Sequence, residues 1–188
     1  DNLPLRLGQF ARLEELPSVT ALAPVGLASL ERGAGGVTAR LTDGRDVHAE
    51  LVVGADGRQS FVRRSAGIGA TGWRYDQVAI ACCMAHEEPH NGLAVEHFQP
   101  TGPFAVLPMV DAADGTHRSS IVWSERPDLA DGYLAMEEED FNAELQRRVG
   151  DYLGAVRLLG RRWRYPLSVL LAERYIAPRL ALISEAAH

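Results

Sequence analysis

Apolar residues recur at Leu3, Leu7, Phe10, Leu13 and Leu16, a three-to-four-residue spacing that predicts a helix over Leu3–Leu16, stopped by Pro17. The period then changes. Val25–Glu31, Gly36–Leu41 and Val47–Val53 read as strands of a meander, the first pair divided by GAGG (Gly33–Gly36) and the second by TDGRD, both turn-forming clusters. The three glycines of Gly67–Gly72 mark a crossing into a second domain. Beyond them, alternation of period two picks out Val78–Ala85, Leu93–Phe98, Phe104–Met109 and His117–Trp123. Pro, Gly or Asp clusters separate these runs, as an antiparallel sheet requires. Acidic Glu137–Asp140 precede Phe141, Leu145 and Val149, which predicts an amphipathic helix with negative charge at its positive end. A short helix over Tyr152–Leu159, a strand over Tyr165–Leu171 and a strand over Leu180–Ile183 complete the pattern. The class predicted is α+β, with a mixed or antiparallel sheet and helices.

Within that pattern one stretch carries chemistry. LVVGADGRQSFVRR, Leu51–Arg64, sets a β-branched strand against an Asp56-Gly57 turn, where backbone can approach a ligand closely. Ser60 and Arg63 follow on the first turns of a helix. A carboxylate at Asp56 can accept a hydrogen bond from a ribose hydroxyl, and Arg63 offers a fork of donors to a phosphate or a carboxylate. Taken alone, the DG pair reads as an ordinary strand-to-helix connection; the full pattern is more demanding. Near the other end, PRLALISEAAH (Pro178–His188) presents a strand and a turn at Ser184 and Glu185.

The order DGxxSxxR resembles the second flavin motif of the class A FAD-dependent aromatic monooxygenases, and PRLALISEAAH is similar to their third, in which a GD pair precedes AAH. Here Ser184 and Glu185 replace that pair, which keeps the charge, lengthens the side chain and removes the glycine. WRYDQVAI (Trp73–Ile80), GPFAVLP (Gly102–Pro108), SSIVW (Ser119–Trp123) and RYPLSV (Arg164–Val169) resemble the ubiquinone-biosynthesis hydroxylase branch. The resemblance covers nearly all of the chain, yet it starts in the middle of the family's sequence and stops before the loop that follows its third motif. It implies an internal portion of such an enzyme, without the glycine-rich turn that cradles a pyrophosphate.

The resemblance further implies a Rossmann-like FAD-binding part over residues 1–69, a substrate-binding domain over 70–177 and a return strand over 178–188. Asp56, Gly57, Arg63 and Glu185 would meet FAD, Asp56 would also meet NAD(P)H, and the intact enzyme would use oxygen to hydroxylate a prenylated phenol. Phe98, Phe104, Pro108, Trp123 and Tyr165 would stand on the sheet under the substrate pocket. Plain core packing is the other reading of each of those five, since aromatics dominate cores. No side chain is assigned as a catalytic base. Two alternatives stay open: a hydroxylase of a soluble aromatic compound, and a flavin-free module that holds a quinone precursor or docks onto a biosynthetic complex.

Composition narrows the partners. A net charge of −6 argues against nucleic acid and anionic lipid as ligands. All 19 basic residues are Arg, a count that genome composition explains without function. Cys82 and Cys83 lie in an apolar strand and so point to opposite faces, as packing residues; cytoplasmic residence fits, with peripheral contact to the inner membrane or a complex as the way to reach a membrane substrate. No apolar run approaches the roughly 18 residues of a membrane span. HEEPH, His86–His90, matches the HExxH zinc pattern to the letter, but that chemistry needs one helical face, and Pro89 forbids the helix. No metal is expected. Neither Ser60 nor Ser184 has a GxSxG setting, so nucleophilic hydrolysis is not expected.

Overall fold

A computed structural model describes residues 3–188. In chain order, helix α1 (Leu3–Glu14) precedes strands β1 (Leu27–Gly33), β2 (Gly36–Leu41), β3 (Asp46–Ala49) and β4 (Val52–Gly54), then helix α2 (Phe61–Ser65). Strands β5 (Ala70–His86), β6 (Val95–Gln99), β7 (Gly102–Pro108) and β8 (His117–Glu125) lead to helices α3 (Pro127–Ala135) and α4 (Glu138–Val149). Strands β9 (Val156–Ala172), β10 (Ile176–Ala177) and β11 (Leu180–Leu182) and a 3₁₀ turn at Ser184–Ala186 end the chain. The chain divides into two compact units, one running up to Thr71 and joined by Leu170–His188, the other Gly72–Val169. The return to the first unit comes earlier than the expected boundary at 178. Ala172 already packs with Val62, Leu180 and Leu182 and donates its N–H to the Ala187 carbonyl at 2.8 Å.

In the first unit, β1, β2 and β3 form the expected antiparallel meander. Val47–Val53, however, is not one strand. β3 pairs with β2, whereas β4 pairs in parallel with β11, with Val52 opposite Leu180 and Gly54 opposite Leu182. Arg179 secures the break. Its carbonyl accepts the Val52 N–H at 3.0 Å, while its guanidinium donates to the carbonyls of Glu50 and Ala34. Helix α1 forms where the spacing predicts, but its apolar stripe is not covered, and Leu3, Leu7 and Phe10 are exposed. Helical spacing reports a potential face, and burial depends on what is packed against it.

The second unit is built on a five-stranded sheet in the order β6-β7-β8-β5-β9, antiparallel from β6 through β5, with α3 and α4 packed on one face. Ile80, Met84, Phe104, Val106, Ile121 and Trp123 meet Phe141, Leu145 and Val149 in a single core. The three apolar positions of the predicted amphipathic helix are thus its three buried residues. The predicted helix over Tyr152–Leu159 is replaced by the start of β9. Gly154 at φ +68° interrupts any helical turn, and Val156 and Leu158 alternate inward with their N–H groups held by Gln146 and Asn142 side chains of α4. Helix α3 was not expected from periodicity, although Pro127 in its first turn is a recognisable start signal.

A buried ion pair locks this core. The Glu125 carboxylate is fully buried and accepts from the Arg126 N–H at 2.9 Å and the Thr101 hydroxyl at 3.2 Å. The Arg148 guanidinium lies 3.6 Å from it and stacks 3.9 Å above the Trp123 ring. Breaking such a pair from one side leaves an uncompensated buried charge. Arg148→Met should therefore lower unfolding stability by about 3–5 kcal/mol in urea denaturation, and Glu125→Gln added to it should recover part of the loss.

Candidate cofactor site

Strands β4 and β11 are adjacent and parallel, so the turns that follow them emerge side by side at the carboxyl ends. Open α/β sheets bind ligands there. Gly54 makes the close approach feasible: a Cβ at this position would fall 2.9 Å from Leu182 Cδ2 and from Val62 Cβ. The Ile183 N–H continues the ladder to the Gly54 carbonyl at 2.9 Å, which fixes the two turns in one register.

The turn after β4 is organised by its own motif. Ser60 caps α2 by accepting the Arg63 N–H at 2.9 Å, and its hydroxyl donates to Asp56 Oδ1. Asp56 Oδ2 accepts the Val62 N–H at 3.0 Å. Burial pulls the Asp56 carboxyl upward, but donors from Ser60, Val62 and Phe61 outweigh it and hold the group below the usual carboxylate range. Each carboxylate oxygen has two lone-pair directions, so an exposed Asp56 retains capacity for a ligand hydroxyl. Gly57 sits at φ +80° with open space where a side chain would project. These features suit a polyhydroxylated ligand.

The turn after β11 keeps a glycine-like conformation without a glycine. Ser184 stands at φ +52°, a left-handed geometry that costs a non-glycine residue roughly 1–2 kcal/mol. Its carbonyl accepts the N–H groups of Ala187 and His188 at 2.8 and 3.0 Å, which holds the turn closed. Glu185, next to it, is exposed. Arg63 is placed differently from the expectation of a free fork for phosphate. Its side chain is nearly buried, and its two terminal nitrogens donate to the carbonyls of Ala186 at 2.8 Å and Arg58 at 2.7 Å.

Gly67–Gly72, GIGATG, satisfies by spacing the GxGxxG pattern of the glycine-rich turn that the resemblance leaves out. It follows helix α2 and leads into β5, the reverse of the strand-to-helix order that aims backbone donors at a pyrophosphate. A Cβ at Gly69 would fall 2.4 Å from Glu173 Oε1, and the Glu173 N–H donates to the Gly69 carbonyl; these glycines serve a tight chain crossing.

The five expected pocket residues are not brought together. Register pairs Phe104 with Trp123 and Phe98 with Pro103, which puts Phe104, Pro108 and Trp123 on the helix-covered face and Phe98 on the other. Phe104 and Trp123 are fully buried with ring centroids 6.0 Å apart, so for them core packing is the outcome. Phe98 is 85% exposed, and Tyr165 on β9 is also exposed. Besides Phe98, the face without helices carries mostly small side chains in register: Ala81, Val122 and Ala105 in one row, Cys83 and Ser120 beside Leu107 in the next.

Cys82 and Cys83 do lie on opposite faces, Cys82 with its thiol pushed up to about 12 by burial and Cys83 within 3.8 Å of Met109 Sδ. His86 ends β5 and residues 87–90 are not helical. Both ring nitrogens of His86 are engaged, by the Glu88 carbonyl and the Ser119 hydroxyl.

Against this geometry, a family model described as FAD binding domain matches residues 11–188. The chain belongs to the FAD binding domain family. It is 52% identical to the ubiquinone hydroxylase UbiL of Rhodospirillum rubrum over 188 residues, covering 100% of this chain and 43% of that protein. It is 32% identical to the 3-demethoxyubiquinol 3-hydroxylase of Escherichia coli, covering 100% of this chain and 46% of that protein. The chain thus spans less than half the length of these curated relatives. Among solved structures, Pseudomonas aeruginosa PqsL in complex with 2-aminobenzoylacetate has the same fold, with a TM-score of 0.76 at 23% identity over 98% of this chain and 51% of that one. In this FAD binding domain chain, no helix of the described residues is long and apolar enough to cross a membrane.

Ser60 is the residue whose weight the motif understated. Its signal was present, because a serine directly ahead of a helical run is a preferred helix cap. Asp56 joins that cap, so Asp56→Ala should lower unfolding stability by about 1–2 kcal/mol. The sign with pH follows from its depressed folded value. Its contribution is in place above about pH 4, its unfolded range, and fades as pH falls through the lower folded value. Stability curves from pH 3 to 7 should therefore show less acid sensitivity in Asp56→Asn than in the parent.

Proposed function

We propose that this chain is part of an FAD-dependent monooxygenase that hydroxylates the aromatic ring of a prenylated phenol in ubiquinone biosynthesis, with NAD(P)H as reductant and oxygen as co-substrate. The observation that carries the reading is the adjacency of two carboxylate-bearing turns, Asp56 after β4 and Glu185 after β11, at the carboxyl ends of paired parallel strands. The 52% identity to a ubiquinone hydroxylase directs the substrate class.

In this reading Asp56 and Glu185 accept hydrogen bonds from flavin ribityl or ribose hydroxyls, and Gly57 lets the cofactor approach the backbone. FAD, when bound, supplies the redox and oxygen chemistry. The chain's own residues bind and orient. The face bearing Ala81, Ala105 and Val122 offers a flat, weakly polar surface against which a planar ring can lie while water is excluded. Of the set Phe98, Phe104, Pro108, Trp123 and Tyr165, substrate contact through that face keeps Phe98, which lies on it, while Phe104 and Trp123 are consumed by the core.

The product of the complete gene, purified and scanned for flavin absorbance, should be yellow and should oxidise NAD(P)H with oxygen uptake when a prenylated phenol is added. A folded, colourless product that takes up no added FAD would overturn the reading in favour of a flavin-free module, and turnover confined to soluble aromatics would replace the prenylated substrate. In the same protein, Glu185→Ala should weaken FAD by about tenfold, the worth of one charge-assisted hydrogen bond. Ser184→Gly should leave FAD affinity within about twofold, because the turn already has the geometry glycine would give, and should raise stability by about 0.5–1 kcal/mol.

A further inference from the structure

Arg63 joins the two turns directly. Its Nη1 donates to the Ala186 carbonyl, in the turn that carries Ser184 and Glu185, and its Nη2 donates to the Arg58 carbonyl, next to Gly57 and two residues past Asp56. The side chain is only 6% exposed, and among the described residues no carboxylate lies within ion-pairing distance of it. A buried guanidinium is costly to desolvate, and its two charge-assisted bonds to the Ala186 and Arg58 carbonyls offset that cost. Its backbone is fixed as well, since the Arg63 N–H is held by the Ser60 cap that also binds Asp56.

We infer that Arg63 is a positioning residue that sets the distance between the two carboxylate-bearing turns, and through it the affinity for FAD; the second half of this inference rests on the FAD reading above. A planar fork can bind two carbonyls at once, whereas an ammonium is a single point charge. With Arg63 shortened or straightened, neither turn loses a ligand-contacting atom, but the local bonds of the turn after β11 open more often and the spacing between Asp56 and Glu185 is no longer imposed. A ligand bound at several points then has to order both turns itself, which lowers its affinity without removing any contact atom.

The test uses the product of the complete gene stripped of cofactor, as the parent and as Arg63→Lys, Arg63→Met and Arg63→Ala. Amide hydrogen exchange at Ala187 and His188, both bonded to the Ser184 carbonyl, reads the turn without any ligand. FAD titration by fluorescence quenching reads affinity. Arg63→Lys should speed exchange at these amides and weaken FAD about tenfold. Arg63→Met should weaken FAD further, and millimolar methylguanidinium should restore part of the affinity of Arg63→Ala, which a general packing defect would not allow. Should the Met variant not fold, the Lys variant decides, since it retains the charge and one carbonyl bond. Unchanged exchange together with FAD affinity within twofold of the parent in Arg63→Lys would overturn the inference and leave the FAD reading standing. Faster exchange in a protein whose parent binds no FAD would do the opposite, keeping Arg63 as the link between the turns and removing the cofactor.

Discussion

The parallel pairing of β4 with β11 is the constraint on which the candidate site depends. The two strands are far apart in sequence, and each is only three residues long, so backbone hydrogen bonds between them are too few to hold the pairing alone. Side-chain packing does the rest: Val62, Leu180 and Leu182 bury against one another, and the absence of a Cβ at Gly54 lets them meet. A parallel pair always needs a long connection. Here that connection contains the whole second unit. Because closure entropy grows only logarithmically with loop length, and the second unit has its own core to hold it folded, inserting it between β4 and β11 costs the pairing little.

Where a pattern was both local and tied to burial, the sequence was readable. Phe141, Leu145 and Val149 named a helix face that the sheet covers, and the antiparallel runs of the second unit emerged nearly as their periodicity requires. The misreadings share a cause. Val47–Val53 looks like one strand because β-branched residues continue through it, but only the distant Arg179 decides that the chain changes partners at Glu50 and Leu51. Val156 and Leu158 fit a helical or a strand period equally in so short a run, and the choice is made by Gly154 and by the side chains of Asn142 and Gln146. The apolar stripe of α1 was legible, while its exposure was not, because periodicity carries no information about a covering partner.

The flavin motif was legible as a string but not as a division of labour. Its residues are largely bonded to each other: Asp56 to Ser60, Ser60 to the Arg63 backbone, and the Arg63 side chain to the two turns. A motif of this kind is as much a folding unit as a contact list. That explains how Glu185 and Ser184 can stand where the resembled family has Asp and Gly. The turn is held by carbonyl and N–H bonds of the backbone, and the strain of a left-handed serine is small beside the packing that imposes it.

The two faces of the five-stranded sheet show the same division at larger scale. On the helix-covered face, large side chains fill the space, and a buried ion pair and the stacked Trp123 and Arg148 fix one arrangement. The other face carries Ala81, Ala105, Cys83 and Ser120, side chains too small to interdigitate with a packed layer at normal core density. Aromatic residues were natural candidates for pocket walls because they are the obvious partners for a ring, yet Phe104 and Trp123 are spent on the core. Small residues leave room beside a sheet, which is the room the proposed planar ligand would need. Strand parity, which register fixes and composition does not, separates the two roles.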